Sequence, residues 1–432
     1  MKVFDYIGLK NALESDNFII ELENSVSVPS GFTLKRGKKL LGNGEDIFLS
    51  IINGDGIALK GNNEIKDISI QVSPVNRAIY LDSEEEDLGN VVFSNLTVTG
   101  AVQLITRGNS KKLDVLIDSL DIFSADVRKY SERPMKYGVN VYQGALTIYN
   151  FTPDNDSLIN VVANDVQVGR KNAPVIGSGV FISGFGDEGG KVNIEKLTTK
   201  DVYSNGMIPQ GQPNLITGGI FIVYGAHAKE VVSKGKVVTY GNNDMVLDVW
   251  GSVDKWITEE EIESFGQSGI GFVNFGYVKE FKAEKGIHTH GAGARGFNQY
   301  DGTIEDAYFE YIRTDGNGSI GMQFSKPVGS ITIKKDVTTK GSIGKTLVKG
   351  VIMDLKADAI SVLSGGSIER LNVEGNLNIK GDGVVAYHVN EGKVKEFILN
   401  GEIISEGKNS IDVLIENNGE TDTNYIEKYL NE

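Results

Sequence analysis

The sequence predicts an all-β solenoid, in which short strands wind into stacked turns. Three observations predict it. Five glycines, Gly241, Gly266, Gly291, Gly316 and Gly341, recur at a 25-residue step. The chemistry around each glycine repeats with it: an aliphatic residue four positions before (Val237, Ile262, Ile287, Ile312, Val337), a small hydroxyl two before (Thr239, Ser264, Thr289, Thr314, Thr339) and a larger apolar residue six after (Leu247, Phe272, Phe297, Met322, Leu347). Glycine is abundant at 53 and proline scarce at 8, while the apolar runs are rich in Val, Ile and Thr, which suits many short strands joined by tight turns. Self-similarity at such a period marks a repeat protein, in which each turn buries its apolar face only against the next.

At the start, residues 4 to 15 read as a short amphipathic capping helix with Phe4, Leu9 and Leu13 turned inward. Period-2 alternation then marks half-buried strands at Ile65, Ile68 and Ile70, at Leu96 and Val98, at Leu113, Leu120 and Ile122, at Val166 and Val168, and at Leu197 and Thr199. Three insertions, at 123 to 137, 169 to 177 and 200 to 217, are expected as long loops emerging at one corner. In the regular region a further apolar strand precedes each glycine, at Ala228 and Val231, Val278 and Phe281, Val328 and Ile331, so three short strands make one turn. The Glu-rich segment 252 to 266 has helical composition, yet Val253, Trp256 and Ile262 keep the strand register, and the register decides. After Gly341 the pattern breaks, with 15 extra residues near Val351 to Gly365 read as a partial turn or bulging loop, and resumes around Gly381 and Gly407. Residues 423 to 430 are expected to form a second capping helix, because an open coil end exposes its core.

Composition excludes several function classes. Against 58 acidic residues stand 43 basic ones, a formal charge of −15, which disfavours nucleic acid and anionic membranes as partners. No cysteine is present, so disulfides, thiolate metal sites and cysteine nucleophiles are excluded. No apolar run reaches the ~18 residues of a membrane helix. The N-terminus lacks the apolar core of a secretory signal, which points to the cytoplasm by default, or to a secreted or surface location if a leader has been removed.

The opening NALESDNFIIELENSVSVPSGFTLKRGKKLLGNG combines a capping helix, strands broken by a Pro-Ser-Gly turn and a Gly-x-Gly turn. With the regular turns that follow, it resembles the right-handed parallel β-helix, or pectin lyase-like, superfamily. The resemblance implies a single domain over 1–432: a cap at 1–17, irregular turns with long loops at 18–225, regular turns at 226–419 and a cap at 420–432. It implies no particular enzyme. Polygalacturonase-type signatures are missing, with only His290-Gly291 echoing a Gly-His-Gly and no Asp-Asp pair, and the Trp-Ile-Asp-His motif of pectate lyases is absent.

Strand alternation shows which side chains are displayed. One position before each glycine the outward column reads Tyr240, Phe265, His290, Asp315 and Lys340, and three before it Val238, Glu263, His288, Arg313 and Thr338. Turns stack at ~4.8 Å, so His290, Asp315, Arg313 and Lys340 form a candidate catalytic group, a His beside an Asp being suited to acid–base work. Tyr240, Phe265 and His288, with Arg133, Lys136, Arg170, Asp201 and Tyr203 from the insertions, form a candidate sugar-binding surface. The same ladder also reads as a cross-strand ion-pair stack with no substrate. His288 and His290 have a metal-holding spacing, with Asp315 or Glu263 as third ligand, but with 4 histidines in the chain neither a metal nor another cofactor is expected. Arg295 and Lys345 interrupt an apolar column and are expected to extend into solvent, the alternative being that Arg295 reaches back toward the groove beside His290. Asn298 and Gln323 are expected to form an amide stack. The function expected is therefore a carbohydrate-interacting protein that binds or cleaves a polysaccharide in a loop-lined groove, as a lyase or hydrolase if it is an enzyme. The alternative is a non-catalytic structural or adhesive solenoid, such as a surface or phage-tail component.

Overall fold

A computed structural model describes residues 1–44, 46–348 and 351–430, with the backbone alone for 347 and 348. The regular structure of the described residues is nearly all β, and it forms a parallel β-helix solenoid. It comprises two compact units: Met1–Pro134 with Tyr142–Ser204 and Phe221–Val231, and Met135–Val141 with Asn205–Ile220 and the chain from Val232 onward. Among the described residues no helix is long and apolar enough to cross a membrane.

In the first unit the helix Tyr6–Glu14 buries Leu9, Ala12 and Leu13, and Asp5 caps it by accepting from the Gly8 amide at 2.7 Å. Because the cap falls at Asp5, Phe4 lies outside the helix and is 58% exposed, contrary to the inward position expected for it. Parallel strands then stack in register, with Ile65 on Phe93, Ile68 on Leu96 and Leu96 on Leu120, which itself meets Val166. The 200–217 insertion begins later than expected. Lys191–Asn205 is one continuous strand, with Val202 beside Val168.

The second unit carries the regular turns. One core column runs Ile262, Ile287, Ile312, Val337, Leu377 and Ile403. Another runs Trp256, Phe281, Ala307, Ile331, Leu371 and Phe397. A third runs Leu247, Phe272, Phe297, Met322, Ile360 and Tyr387. The segment 252 to 266 is strand throughout its expected core positions, as Ser252–Thr258 and Ile262–Ser264. The glycines have a steric origin: a Cβ on Gly291 would fall 1.8 Å from the carbonyl oxygen of Gly266, one turn earlier, and the same holds for Gly341 and Gly316. Only glycine lets the corners stack.

Two expectations about the course of the chain fail in this unit. After Gly341 the third column passes to Ile360 and not to Leu347, whose side chain lies outside the described residues. The extra residues form an antiparallel hairpin, Gly344–Val348 with Val351–Leu355, so Leu347 kept the spacing of a core position without its place. At the C-terminus a short strand Glu420–Thr421 and a single 3-10 turn Glu427–Tyr429 replace the expected helix. No side chain caps that turn, and Ile426 alone is fully buried there.

Candidate functional site

In the second unit the corner register places Ser264 beside Thr289 and Thr289 beside Thr314. The residues that follow them stack outward as expected. Tyr240 lies over Phe265 with centroids 5.4 Å apart at 14°, and Phe265 over His290 at 4.3 Å and 5°. Ring faces are thus spent on one another, and the stack presents a rim where the sequence suggested an open platform. Asp315 joins the remaining groups. Its Oδ2 lies 2.8 Å from His288 Nε2 and 3.4 Å from His290 Nδ1, while Oδ1 lies 3.1 Å from Arg313 Nε and 3.0 Å from Lys340 Nζ. On the other side of His290, Glu263 pairs with Lys236 at 2.8 Å and stands 3.8 Å from His290 Nε2.

Burial opposes ionisation of Asp315, but hydrogen bonds from His288, Lys340 and Arg313 outweigh it and hold the carboxyl well below the usual range. Burial pulls His288 below its ordinary value against the raising effect of Asp315. Glu261 is pushed up by burial and by Glu263 beside it, and the Tyr311 hydroxyl donates to it. Glu263 is held down, the Lys236 hydrogen bond overcoming burial.

The other predicted binding residues have local partners. In the first unit Arg170 makes a forked pair with Asp121 at 2.9 and 2.6 Å and covers the Phe123 ring. Arg133 donates to the carbonyls of Tyr130 and Arg128 and lies 4.5 Å over Tyr142. Asp201 and Tyr203 belong to the strand Lys191–Asn205, and Tyr203 is buried. In the second unit Lys136 sits 5.2 Å over Tyr137.

Farther along the second unit, His388 lies between two carboxylates, with Nδ1 3.1 Å from Asp358 and Nε2 2.9 Å from Glu416. Burial lowers its pKa, but the two hydrogen bonds more than offset this and leave it above the ordinary 6.5. A raised folded-state value stabilises the fold at low pH and loses that effect as pH rises through it. His388→Gln is therefore expected to cost about 1.5 kcal/mol, the full difference from wild type appearing below pH 6.5 and shrinking above it. Urea melts at pH 5.5 and pH 8.5 check this, and a larger deficit at the higher pH would contradict it.

A cavity of about 400 Å³ opens on the outer face of the strands Asp244–Val249, Ile270–Asn274 and Arg295–Gln299, with residues 137–139 and 213–216 in its walls. These strands turn Leu247, Phe272 and Phe297 into the core, so Asp248, Val273 and Asn298 face the opposite way. Tyr137 anchors one wall: it stacks on Phe275 at 4.5 Å, meets Trp250 edge-on at 5.4 Å and donates its hydroxyl to the Phe275 carbonyl at 3.4 Å. Tyr300 follows at 4.8 Å from Phe275.

The polar groups in this cavity are under-satisfied. Asp248 is completely buried, and neither carboxyl oxygen has a hydrogen-bond partner of normal geometry among the described residues. Burial pushes its pKa well above the usual 3.8, and the nearby Val249 amide and Trp250 indole N–H offset this only in part. Asn298 is also buried, with an unpartnered Oδ1. Arg295 does not extend into solvent as expected: it is half-buried, donates Nε to Gln323 Oε1 at 3.1 Å and pairs with no carboxylate among the described residues. Burial lowers its pKa to about 10, so it stays charged at neutral pH. With Gln323 so engaged, the amide stack expected of Asn298 and Gln323 forms instead between Asn274 Nδ2 and Gln299 Oε1 at 3.2 Å.

Sequence reasoning missed Asp248 and the aromatic group. A usable signal existed, since Trp250, Phe275 and Tyr300 recur at the same 25-residue step as the glycines. No protein-family model matches the chain, and no curated protein and no solved structure matches it either.

Proposed function

We propose that the protein binds an anionic polysaccharide in the cavity formed by Asp248, Arg295, Asn298, Phe275, Tyr300 and Tyr137. The observation that carries this reading is Asp248, a completely buried carboxyl that lines an open cavity and whose oxygens have no hydrogen-bond partner of normal geometry among the described residues. Such a group costs about 1–3 kcal/mol, and a hydroxyl-rich ligand would satisfy it. Burial opposes its ionisation, and in its protonated form it can both donate to and accept from a sugar hydroxyl without repelling an acidic chain. Arg295 supplies a guanidinium that pairs with no carboxylate among the described residues, a specific attraction for a sugar carboxylate that a chain of net charge −15 does not provide in bulk. Phe275 and Tyr300 supply apolar surface for sugar rings. The resemblance of the sequence to the pectin lyase-like superfamily points the same way.

Binding is favoured over hydrolysis by one feature. Asp248 is the single carboxyl among the described lining residues, whereas glycoside hydrolysis uses a pair. The second reading, a structural or adhesive solenoid, draws support from the ladder, where His288, Arg313 and Lys340 all converge on Asp315. Titration calorimetry with polyuronates and with neutral dextran tests the proposal. Arg295→Gln is expected to weaken polyuronate binding about tenfold or more without lowering the melting temperature, while His290→Gln leaves it unchanged. If no polysaccharide binds, or if Arg295→Gln binds as wild type does, the proposal fails.

A further inference from the structure

We infer that His288, His290 and Asp315 form a site for a divalent transition-metal ion of the zinc class, clipping one turn of the second unit to the next. The strand Ile287–Thr289 and the residue after it supply both imidazoles, because Thr289 points into the core and throws its two neighbours to the same outer face. Asp315 comes from the following turn, fixed there by its amide bonding the Thr289 carbonyl at 2.9 Å. One ligand atom from each residue lies within 4.8 Å of the others. Asp315 Oδ2 is 2.8 Å from His288 Nε2 and 3.4 Å from His290 Nδ1. Bonds of ~2.0–2.1 Å in a tetrahedron set ligand atoms ~3.3 Å apart, so an ion seats among these three after small side-chain rotations. Two imidazoles and one carboxylate suit zinc, nickel or copper better than magnesium or calcium. Water completes the fourth position.

The surroundings match those of metal-bound histidines. Arg313 and Lys340 hold Asp315 Oδ1, which leaves Oδ2 alone to face the imidazoles. His290 Nε2 is a buried atom with no hydrogen-bond partner among the described residues, yet Glu263 Oε2 stands 3.8 Å away. A metal on Nδ1 puts the ring proton on Nε2, facing that carboxylate, as outer-shell carboxylates orient zinc-bound histidines. An ion-pair stack alone leaves this nitrogen orphaned.

The test uses the untagged full-length chain, stripped with chelator and titrated with zinc chloride and then with cobalt chloride. One zinc per chain is expected, with a higher melting temperature, and cobalt is expected to show the strong visible bands of a four-coordinate site. His288→Gln and His290→Gln should each weaken uptake by about 100-fold or more, while His227→Gln and His388→Gln should not. Circular dichroism checks that each variant is folded, and Asp315→Asn provides a further variant if one is not. Absence of saturable binding by the wild-type chain overturns the inference, as does stoichiometric uptake that survives both ladder substitutions. Neither result bears on polysaccharide binding.

Discussion

Gly291→Ala is expected to destabilise the second unit by about 3 kcal/mol or more, at or beyond the top of the usual range for overpacking. The added Cβ would lie 1.8 Å from the Gly266 oxygen and 2.4 Å from its carbonyl carbon. Both atoms are backbone, so no side chain can rotate away. Relief requires the two turns to part at the corner, which strains the ladder bond from the His290 amide to the Ser264 carbonyl. The cost is steric, because Gly291 is not among the residues with positive φ. Gly186→Ala in the first unit is the control: its Cβ would meet nothing closer than 3.4 Å, and a change within about 0.5 kcal/mol is expected. Urea midpoints at unchanged slope measure both. Equal losses in the two variants would show that the corner contact is not what selects glycine.

That same contact explains why the fold was legible. A steric demand of backbone on backbone recurs where these corners stack, so it wrote itself into Gly266 through Gly341 and again at Gly381 and Gly407. Apolar columns such as Ile262, Ile287 and Ile312 are legible for a related reason, since each turn repeats the environment of the last. Where that repetition stops, the reading fails. Leu347 has the spacing of a core residue, but an antiparallel hairpin interrupts the turn, and only the pairing of Met322 with Ile360 reveals it. Phe4 was misplaced because the helix start depends on which side chain caps it, and Asp5 does.

The candidate sites divide along the same line. The ladder of His288, His290, Arg313, Asp315 and Lys340 comes from local register and came together. The surroundings of Asp248 and Arg295 depend on Tyr137, far away in sequence, folding onto Phe275 and Trp250. No periodicity encodes that contact. Without the wall, a charge that interrupts an apolar column reads as solvated, as Arg295 does.

Asp248→Leu is expected to raise stability while abolishing polysaccharide binding. Leucine has the same branched skeleton and carries no polar atom, so the substitution removes two buried oxygens that lack partners of normal geometry among the described residues and is expected to gain about 1–3 kcal/mol. The gain has a pH signature. With its folded-state pKa raised well above 3.8, Asp248 ionises less readily in the folded chain than in the unfolded one, and wild-type stability falls as pH rises from 3.8 towards the folded value. The advantage of leucine should therefore be smallest near pH 4 and grow as pH rises. Urea melts across that range measure the first effect and calorimetry with polyuronate the second. A destabilised Leu variant would mean that Asp248 makes structural bonds the fold needs. A stabilised variant that still binds would remove Asp248 from the site. Gain of stability together with loss of binding is the result expected of a group retained for its ligand, since packing alone would favour leucine there.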